Sequence, residues 1–352
     1  MKEKIIAILE GIVHPATEKG LISSGIVDNV SPSTENISIT LAFPKNRDPF
    51  MNSIKRQIIE QLGSAFPEMK DKISVTVKEG VAKNTNANPK PEMKSGLTKV
   101  KKIVAVSSAK GGVGKSTVAV NLAVTFASMG YKTGILDADV YGPSLPKMLG
   151  LEGYLPEAEE REGQTYMIPA EAYGVKAMSI GFFIKPDDAL VWRGPMATGA
   201  LKQLIHQTDW ETLDVLVIDM PPGTGDVHLT LLAEMKVNGA VIVSTPQEIA
   251  LADVVRGISM FRADHINVPV LGIIENMAWF TPEELPNKKY YIFGKGGAAR
   301  LAEQTGVQLL GEIPLIMSAM EGSDSGKPAV TTSAEAAKYY EHIARIIVNN
   351  IS

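Results

Sequence analysis

The chain has 352 residues, 45% of them hydrophobic, and its 35 Lys and Arg against 39 Asp and Glu give a net charge of −4. This length predicts two domains, and the charge gives no general support for non-specific nucleic-acid binding. The sequence contains no cysteine, which excludes disulfides, thiolate zinc sites and cysteine-ligated clusters within it. No signal-peptide pattern and no apolar run near the roughly 20 residues of a membrane span are present, so we expect a cytoplasmic protein.

Residues 1–80 predict a small α/β domain. Its predicted elements are a helix, two strands, a second helix and a last strand, at residues 3–13, 22–30, 36–43, 51–62 and 73–77. A polar, proline-bearing stretch at 81–98 predicts a flexible linker. The order of elements before the linker resembles the DUF59 or MIP18-like domain found in proteins of iron–sulfur assembly.

The stretch from Ala109 to Thr117 (AKGGVGKST) follows a short apolar run and precedes helical apolar spacing over residues 118–129. Strand, glycine loop and helix form the context of a phosphate-binding loop, because glycines let backbone N–H groups converge on phosphate oxygens at a helix N-terminus. We expect Lys115 to reach the outer phosphates and the Ser116 hydroxyl to hold Mg²⁺. The sequence therefore predicts nucleotide binding at this loop.

The loop departs from the ordinary pattern at two positions. Ala109 stands where the first glycine is expected, and a second lysine, Lys110, follows it. This arrangement resembles the deviant Walker A loop of the MinD, ParA and nitrogenase-iron-protein class. The resemblance implies that Lys110 reaches across a dimer interface to the partner's nucleotide, and hence a homodimer. A solvated surface lysine is the alternative.

Strand and helix patterns alternate from residue 99 to residue 352, which predicts an α/β P-loop NTPase domain with a mostly parallel sheet and helices on both faces. Polar residues follow the carboxyl ends of the predicted strands, where open α/β sheets bind ligands. Asp219 ends one strand in the form of a Walker B element that could orient Mg²⁺, and residues 222–226 follow as a candidate switch loop. Asp137 and Asp139 end another: one can approach Mg²⁺ while the other positions the attacking water. Strand-end and helix-capping aspartates are the alternative.

Several separate motifs occur in order: residues 109–117, LDADVYGPS at 136–144, RGPM at 193–196, DMPPGTGD at 219–226 and ENM at 275–277. Over residues 99–345 they resemble the Mrp/ApbC/NBP-type ATPases, P-loop proteins associated with iron–sulfur cluster carriage. The resemblance implies that one run of residues holds the phosphates: Gly111, Gly112, Val113, Gly114, Lys115, Ser116 and Thr117.

The same resemblance implies roles for residues outside the loop. Lys110 and Lys115 would be catalytic, with Asp139 positioning the water. The Mg²⁺ site would consist of Ser116, Asp137 and Asp219. Asn276 and Pro314 would contact adenine, unless they are ordinary residues of strand-end loops.

The chain departs from the family where carrier members have a Cys-x-x-Cys that shares a [4Fe–4S] cluster between two subunits. Here residues 278–291 read AWFTPEELPNKKYY, and their oxygen donors are poor substitutes for thiolates. We therefore expect no bridging cluster of the usual kind. Trp279, Phe280, Tyr290 and Tyr291 form either a partner-binding surface or a packed loop.

Two functions remain open. The first is a slow, homodimeric ATPase that acts in cluster assembly or delivery through apoprotein or assembly-protein partners. The second is a nucleotide-switched regulator that binds DNA or a protein, because the cysteine-free pattern resembles the SalA-like members linked to gene regulation. A metabolic kinase or ligase is a third possibility, but the sequence shows no acceptor pocket for one.

Overall fold

The computed structural model describes most of the chain: residues 2–14, 19–32, 36–42, 51–77, 95–161, 163–183, 194–264, 266–317, 322 and 325–351. Within these ranges the side chains of residues 51–53, 70–71, 194–195, 226 and 248–251 are not described. Phe43, Arg193 and most of the expected linker lie outside the described residues. Internal contacts divide the chain into two compact units, Met1–Glu92 and Met93–Ser352.

The first unit contains two helices and a three-stranded sheet, which are α1 (Lys2–Gly11), β1 (Val27–Pro32), β2 (Ile37–Leu41), α2 (Met51–Ala65) and β3 (Ile73–Val77). Strand β2 lies between its neighbours, antiparallel to β1 and parallel to β3. Its inward face, Ile37, Ile39 and Leu41, is fully buried with residues of both helices. The alternation in the sequence predicted this buried face correctly.

The strand predicted at 22–30 is wrong in its first half. Residues 21–25 form a turn, and Gly25 adopts the left-handed region at φ 72°. The Glu10 carboxylate of α1 accepts a hydrogen bond of 2.9 Å from the Ser23 backbone N–H. That tertiary contact holds the turn, so extended structure starts only at Val27.

The second unit is built on a sheet of eight strands. In chain order they are β4 (Val100–Ser108), β5 (Thr133–Asp137), β8 (Ala170–Ala172), β9 (Val175–Ser179), β10 (Leu213–Pro222), β11 (Gly239–Ser244), β12 (Val270–Phe280) and β13 (Leu309–Leu315). Their order across the sheet is β13-β12-β11-β4-β10-β5-β9-β8, and only the edge pair β8–β9 is antiparallel. Two further strands, β6 (Ala158–Arg161) and β7 (Gln164–Met167), form a separate hairpin.

Helices cover this sheet: α3 (Lys115–Ser128), α4 (Leu145–Met148), α5 (Gly194–Gln207), α6 (Asp226–Glu234), α7 (Glu248–Arg262), α8 (Gly297–Thr305), α9 (Ala329–Thr332) and α10 (Ala334–Asn350). The chain runs from β4 to β5 on one side and later returns past β4 from β10 to β11 on the other. Because parallel crossovers are almost always right-handed, this change of direction places helices on both faces of the sheet. The predicted fold class is confirmed. Among the described residues, no helix is both long and apolar enough to cross a membrane.

Strands β8 and β9 are missing from the sequence-based prediction. They are joined by Tyr173 and Gly174, both at positive φ (53° and 75°), as two-residue hairpin turns require. The signal in the sequence is thus one Gly before the apolar alternation of Val175–Ser179. These strands matter because β9 pairs with β5 and aligns Ser179 with Asp137.

Candidate functional site

The glycine loop leaves the carboxyl end of β4 and enters α3, as predicted. Gly112 and Gly114 have φ of 79° and 78°, a region that favours glycine, and Gly114 is the N-cap of the helix. A Cβ built on Gly111 or Gly112 would meet no atom within 4 Å. The loop therefore presents open backbone at a helix N-terminus, which is an anion-binding arrangement.

Lys115 is the centre of the site. Its side chain is only 6% exposed, and its ammonium forms a short ion pair with the Asp219 carboxylate. The same nitrogen donates to Ser116 Oγ at 3.2 Å and lies 4.0 Å from Asp139 Oδ2. The structure thus brings together four residues that the sequence assigned to the phosphates, Mg²⁺ and the attacking water.

The Asp219 carboxylate beside Lys115 is desolvated by burial. Asp219 is 1% exposed, and desolvation raises its pKa above the ordinary value while the Lys115 ammonium opposes the shift. The residues present fit Mg²⁺, because a hydroxyl and carboxylates at one place are hard oxygen donors. Among the described residues, no group of three His, Asp or Glu converges to hold a metal. Ser116 and Asp219 would therefore share Mg²⁺ with phosphate oxygens and water.

Asp137 is fully buried, and its carboxylate accepts three hydrogen bonds from neighbouring residues that the structure describes. Its Oδ1 accepts from the Asp139 N–H at 3.0 Å. Its Oδ2 accepts from the Leu145 N–H at 3.3 Å and from Ser179 Oγ at 3.0 Å. Burial and the nearby Asp219 charge raise its pKa. Its place near Mg²⁺ stays a prediction.

His228 was not recognised from the sequence. It lies in the first turn of α6, directly after the candidate switch loop, and is 1% exposed. Its ring hydrogen-bonds the Pro221 carbonyl, and its Nε2 has no partner among the described residues. Burial lowers its pKa, which favours the neutral ring. The available signal was its position just behind a glycine turn at the sheet edge.

Asn276 and Pro314 lie on neighbouring strands, β12 and β13. The Asn276 side chain is nearly buried and its Nδ2 donates to the Val113 carbonyl at 2.9 Å, so it contacts the glycine loop itself. Pro314 lines a separate cavity of about 120 Å³ with Thr281 and Glu283. Their contacts with adenine remain predictions. The structure adds that Asn276 supports the backbone of the phosphate-binding loop.

Lys110 is exposed and has no hydrogen bond or ion pair with the described part of the chain. Thr117 is half-buried in the first turn of α3. An uncommitted lysine beside the nucleotide loop can contact a molecule outside this chain, whether a second copy or solvent. Its role across a dimer stays a prediction.

Residues 278–291, where the resemblance led us to look for a Cys-x-x-Cys, close on themselves. Phe280 and Tyr290 exchange backbone hydrogen bonds of 2.9 and 2.8 Å. Trp279 is 6% exposed, packs edge-on against Tyr339, and has the Lys289 ammonium 3.5 Å from its ring centroid. Tyr290 and Tyr291 are half-exposed. Trp279 is thus packed near the end of β12, whereas the two tyrosines are available at the surface.

The glycine loop yields a graded stability test without nucleotide. Gly111→Ala should leave the free energy of unfolding within about 0.5 kcal/mol, because its φ is not positive and its surroundings are open. Gly112→Ala should cost about 1–2 kcal/mol, because an L residue is strained at φ 79°. Gly114→Ala should cost more, because a Cβ there would lie 2.3 Å from Asn276 Nδ2. Urea titration measures all three, and equal losses would contradict the described loop.

Two family models match the chain. Residues 99–348 match the NUBPL iron-transfer P-loop NTPase model, and residues 2–77 match the iron–sulfur cluster assembly protein model. The chain is 39% identical over 352 residues to the iron–sulfur cluster carrier protein of Synechocystis, covering 99% of this chain and 98% of that one. It is 50% identical over 255 residues to the mitochondrial "iron-sulfur protein required for NADH dehydrogenase" of Arabidopsis thaliana, covering 72% of this chain and 79% of that one.

Solved structures agree. A nucleotide-binding protein from Archaeoglobus fulgidus in complex with ADP is 40% identical, with a TM-score of 0.57 over 66% of this chain and 88% of that one. The Pyrococcus furiosus cell-division ATPase MinD shares the fold at 23% identity, with a TM-score of 0.51 over 70% and 98%. The resemblances to the iron–sulfur carrier ATPases and to the small iron–sulfur assembly domain are therefore confirmed. This chain belongs to the iron–sulfur cluster carrier family of P-loop NTPases and has an iron–sulfur assembly domain before its NTPase domain.

Proposed function

We propose that this protein is a slow, Mg²⁺-dependent ATPase that works as a homodimer in the cytoplasm. In this proposal it serves iron–sulfur cluster assembly or delivery through partner proteins. The observation that supports ATP hydrolysis is the convergence of four side chains beside the open glycine loop, which are Lys115, Ser116, Asp139 and Asp219. Family membership supports the role in cluster traffic.

In this proposal the Lys115 ammonium changes its anionic partner when nucleotide binds. The ammonium neutralises Asp219 and approaches Asp139. Phosphate oxygens at the helix N-terminus offer it an alternative anionic partner, so nucleotide binding can draw the ammonium away from the two carboxylates. Asp219 is then free to accept hydrogen bonds or a cation. When bound, Mg²⁺ supplies neutralisation of the phosphate charge.

Asp139 is the residue best placed to orient the attacking water. Its side chain is 13% exposed, so water can reach it, and the Asp137 carboxylate holds its backbone N–H. Phosphoryl transfer to water needs little beyond positioning and charge neutralisation. An aspartate on a held loop supplies the positioning.

The dimer rests on Lys110. Its exposure and lack of described partners leave its ammonium free for a phosphate held by a second subunit. A cation that reaches the phosphates only in the dimer would make hydrolysis depend on association, as arginine fingers supplied in trans do in other P-loop NTPases. ATP would then control the distance between the two subunits.

The cluster is cargo in this proposal, and its thiolate ligands come from elsewhere. The chain has no cysteine, and the segment at 278–291 offers carboxylate and phenol oxygens, which suit hard cations. The half-exposed Tyr290 and Tyr291 give a partner a place to bind. None of the relatives named above is a transcriptional regulator by name, so DNA binding draws no support from them.

Two substitutions separate binding from hydrolysis. Asp139→Ala should leave ATP affinity within about twofold and lower kcat by about 100-fold or more, because only water positioning is lost. Lys115→Ala should abolish binding. Lys115→Ala also leaves the Asp219 carboxylate buried and unpaired, which destabilises the fold. The double variant Lys115→Ala/Asp219→Asn removes that charge and therefore separates loss of ATP binding from misfolding. Asp253→Ala, on the surface of α7, is the matched acidic control. Isothermal titration and phosphate release are the measurements, and unchanged turnover in Asp139→Ala would refute the assignment.

The dimer is tested in the hydrolysis-impaired background. Asp139→Ala with ATP should sediment as a dimer and with ADP as a monomer. Adding Lys110→Ala should remove the ATP-dependent dimer, because the cation that bridges subunits is gone. Lys101→Ala is the control, since that exposed lysine pairs with Asp214 at the amino ends of β4 and β10, away from the glycine loop. A sedimentation coefficient that is the same with ATP and with ADP in every variant would contradict the proposal.

The role in cluster traffic has its own test. After anaerobic incubation with iron and sulfide, the purified chain alone should hold no cluster, measured by absorbance and iron content, because it has no thiolate. With a cluster-loaded, thiolate-bearing scaffold and an apoprotein, wild type should speed cluster transfer in the presence of ATP. The Asp139→Ala variant should not. Equal transfer rates with and without this protein would exclude the role while leaving the ATPase intact.

A further inference from the structure

We propose that Ser179 is a positioning residue for ATP hydrolysis, acting through Asp137 on the loop that carries Asp139. The inference rests on the proposed function, because it presumes that Asp139 orients the attacking water. Ser179 belongs to none of the nucleotide motifs in the sequence. It comes from β9, a strand that only the sheet pairing reveals.

The contact between Ser179 and Asp137 is made where two strands end side by side. Strand β9 pairs in parallel with β5, and the register places Ser179 directly beside Asp137. Both residues are 0% exposed. Ser179 Oγ donates its only proton to Asp137 Oδ2 at 3.0 Å. Buried hydrogen bonds to a carboxylate are among the stronger neutral-to-charged contacts in proteins.

The Asp137 carboxylate in turn holds both ends of the aspartate loop, residues 138–145. Its Oδ1 accepts from the Asp139 N–H at 3.0 Å, and its Oδ2 accepts from the Leu145 N–H at 3.3 Å. The carboxylate plane is therefore set by contacts on both oxygens. Without the serine proton, Oδ2 keeps only the longer of its two bonds. The plane can then rotate and carry the Asp139 backbone with it.

Ser179 also holds the turn that packs on this loop. Its Oγ accepts from the Gly181 N–H at 2.9 Å, which caps the short helical turn Ile180–Phe182. A Cβ on Gly181 would lie 3.0 Å from Pro146 and 3.1 Å from Pro143. The Ser179 hydroxyl thus contacts both the Asp137 carboxylate, which holds the loop, and the Gly181 turn, which packs against it. Its loss should loosen the loop from both sides.

The test separates positioning from simple stability. Ser179→Ala should lower kcat for ATP by about tenfold, as loss of an outer contact to an active-site group commonly does, with KM for ATP within about twofold. In the nucleotide-free protein, the amides of Asp139 and Leu145 should lose protection from hydrogen exchange. Ser244→Ala is the matched control, because Ser244 is also buried at the end of a strand and its Oγ contacts only the Thr245 carbonyl among described partners. It should change neither measurement.

A double variant shows whether Ser179 acts through Asp137. Ser179→Ala should slow the Asp137→Ala variant much less than it slows wild type, because the contact through the carboxylate is already gone and only the contact with the Gly181 turn remains. Full additivity would overturn the proposal, as would an unchanged kcat or unchanged Asp139 exchange in Ser179→Ala. If wild type hydrolyses no ATP, the proposed function fails. The exchange measurement still decides whether Ser179 controls the loop.

Discussion

The structure of the site depends on one buried interaction, the Lys115 ammonium between the carboxylates of Asp219 and Asp139. Neither an isolated lysine nor an isolated aspartate is tolerated at this burial, because desolvation costs several kcal/mol per ion. The pair therefore holds the carboxyl ends of β10 and β5 against the first turn of α3. The lysine also lies at a helix N-terminus, where a phosphate group is an alternative anionic partner for its ammonium.

The glycine loop is supported from the opposite side by Asn276. Its amide donates to the Val113 carbonyl and occupies the space that a Cβ on Gly114 would need. The loop is thus preorganised between a cation beneath it and an amide beside it, which lowers the entropy lost when phosphate binds. The altered segment, residues 278–291, continues from the same strand β12.

Much of this arrangement could be predicted from local patterns. The glycine loop, Lys115 and Asp219 follow from short motifs, because backbone conformation and phosphate chemistry constrain neighbouring residues. Asp137 and Asp139 were recognised as candidates, but which of them would approach Mg²⁺ and which would position water depends on where their loop turns. His228, Ser179 and the exact partner of Asn276 escaped prediction. Each acts through a contact with a residue far away in the chain, and a single sequence carries no record of that pairing. The turn at residues 21–25 was missed for the same reason, since Glu10 holds it.

By itself the sequence determined the family and its fold class, the glycine loop and the absence of thiolate ligands. These follow from residue types and their spacing, which local physics translates directly. Only the tertiary structure decided which groups face one another: Lys115 with Asp219, Asn276 with Val113, and Ser179 with Asp137. Strand order makes that decision. The insertion of β10 between β4 and β5 brings the two aspartate-bearing strands side by side, and the pairing of β9 with β5 supplies the serine that orients one of them.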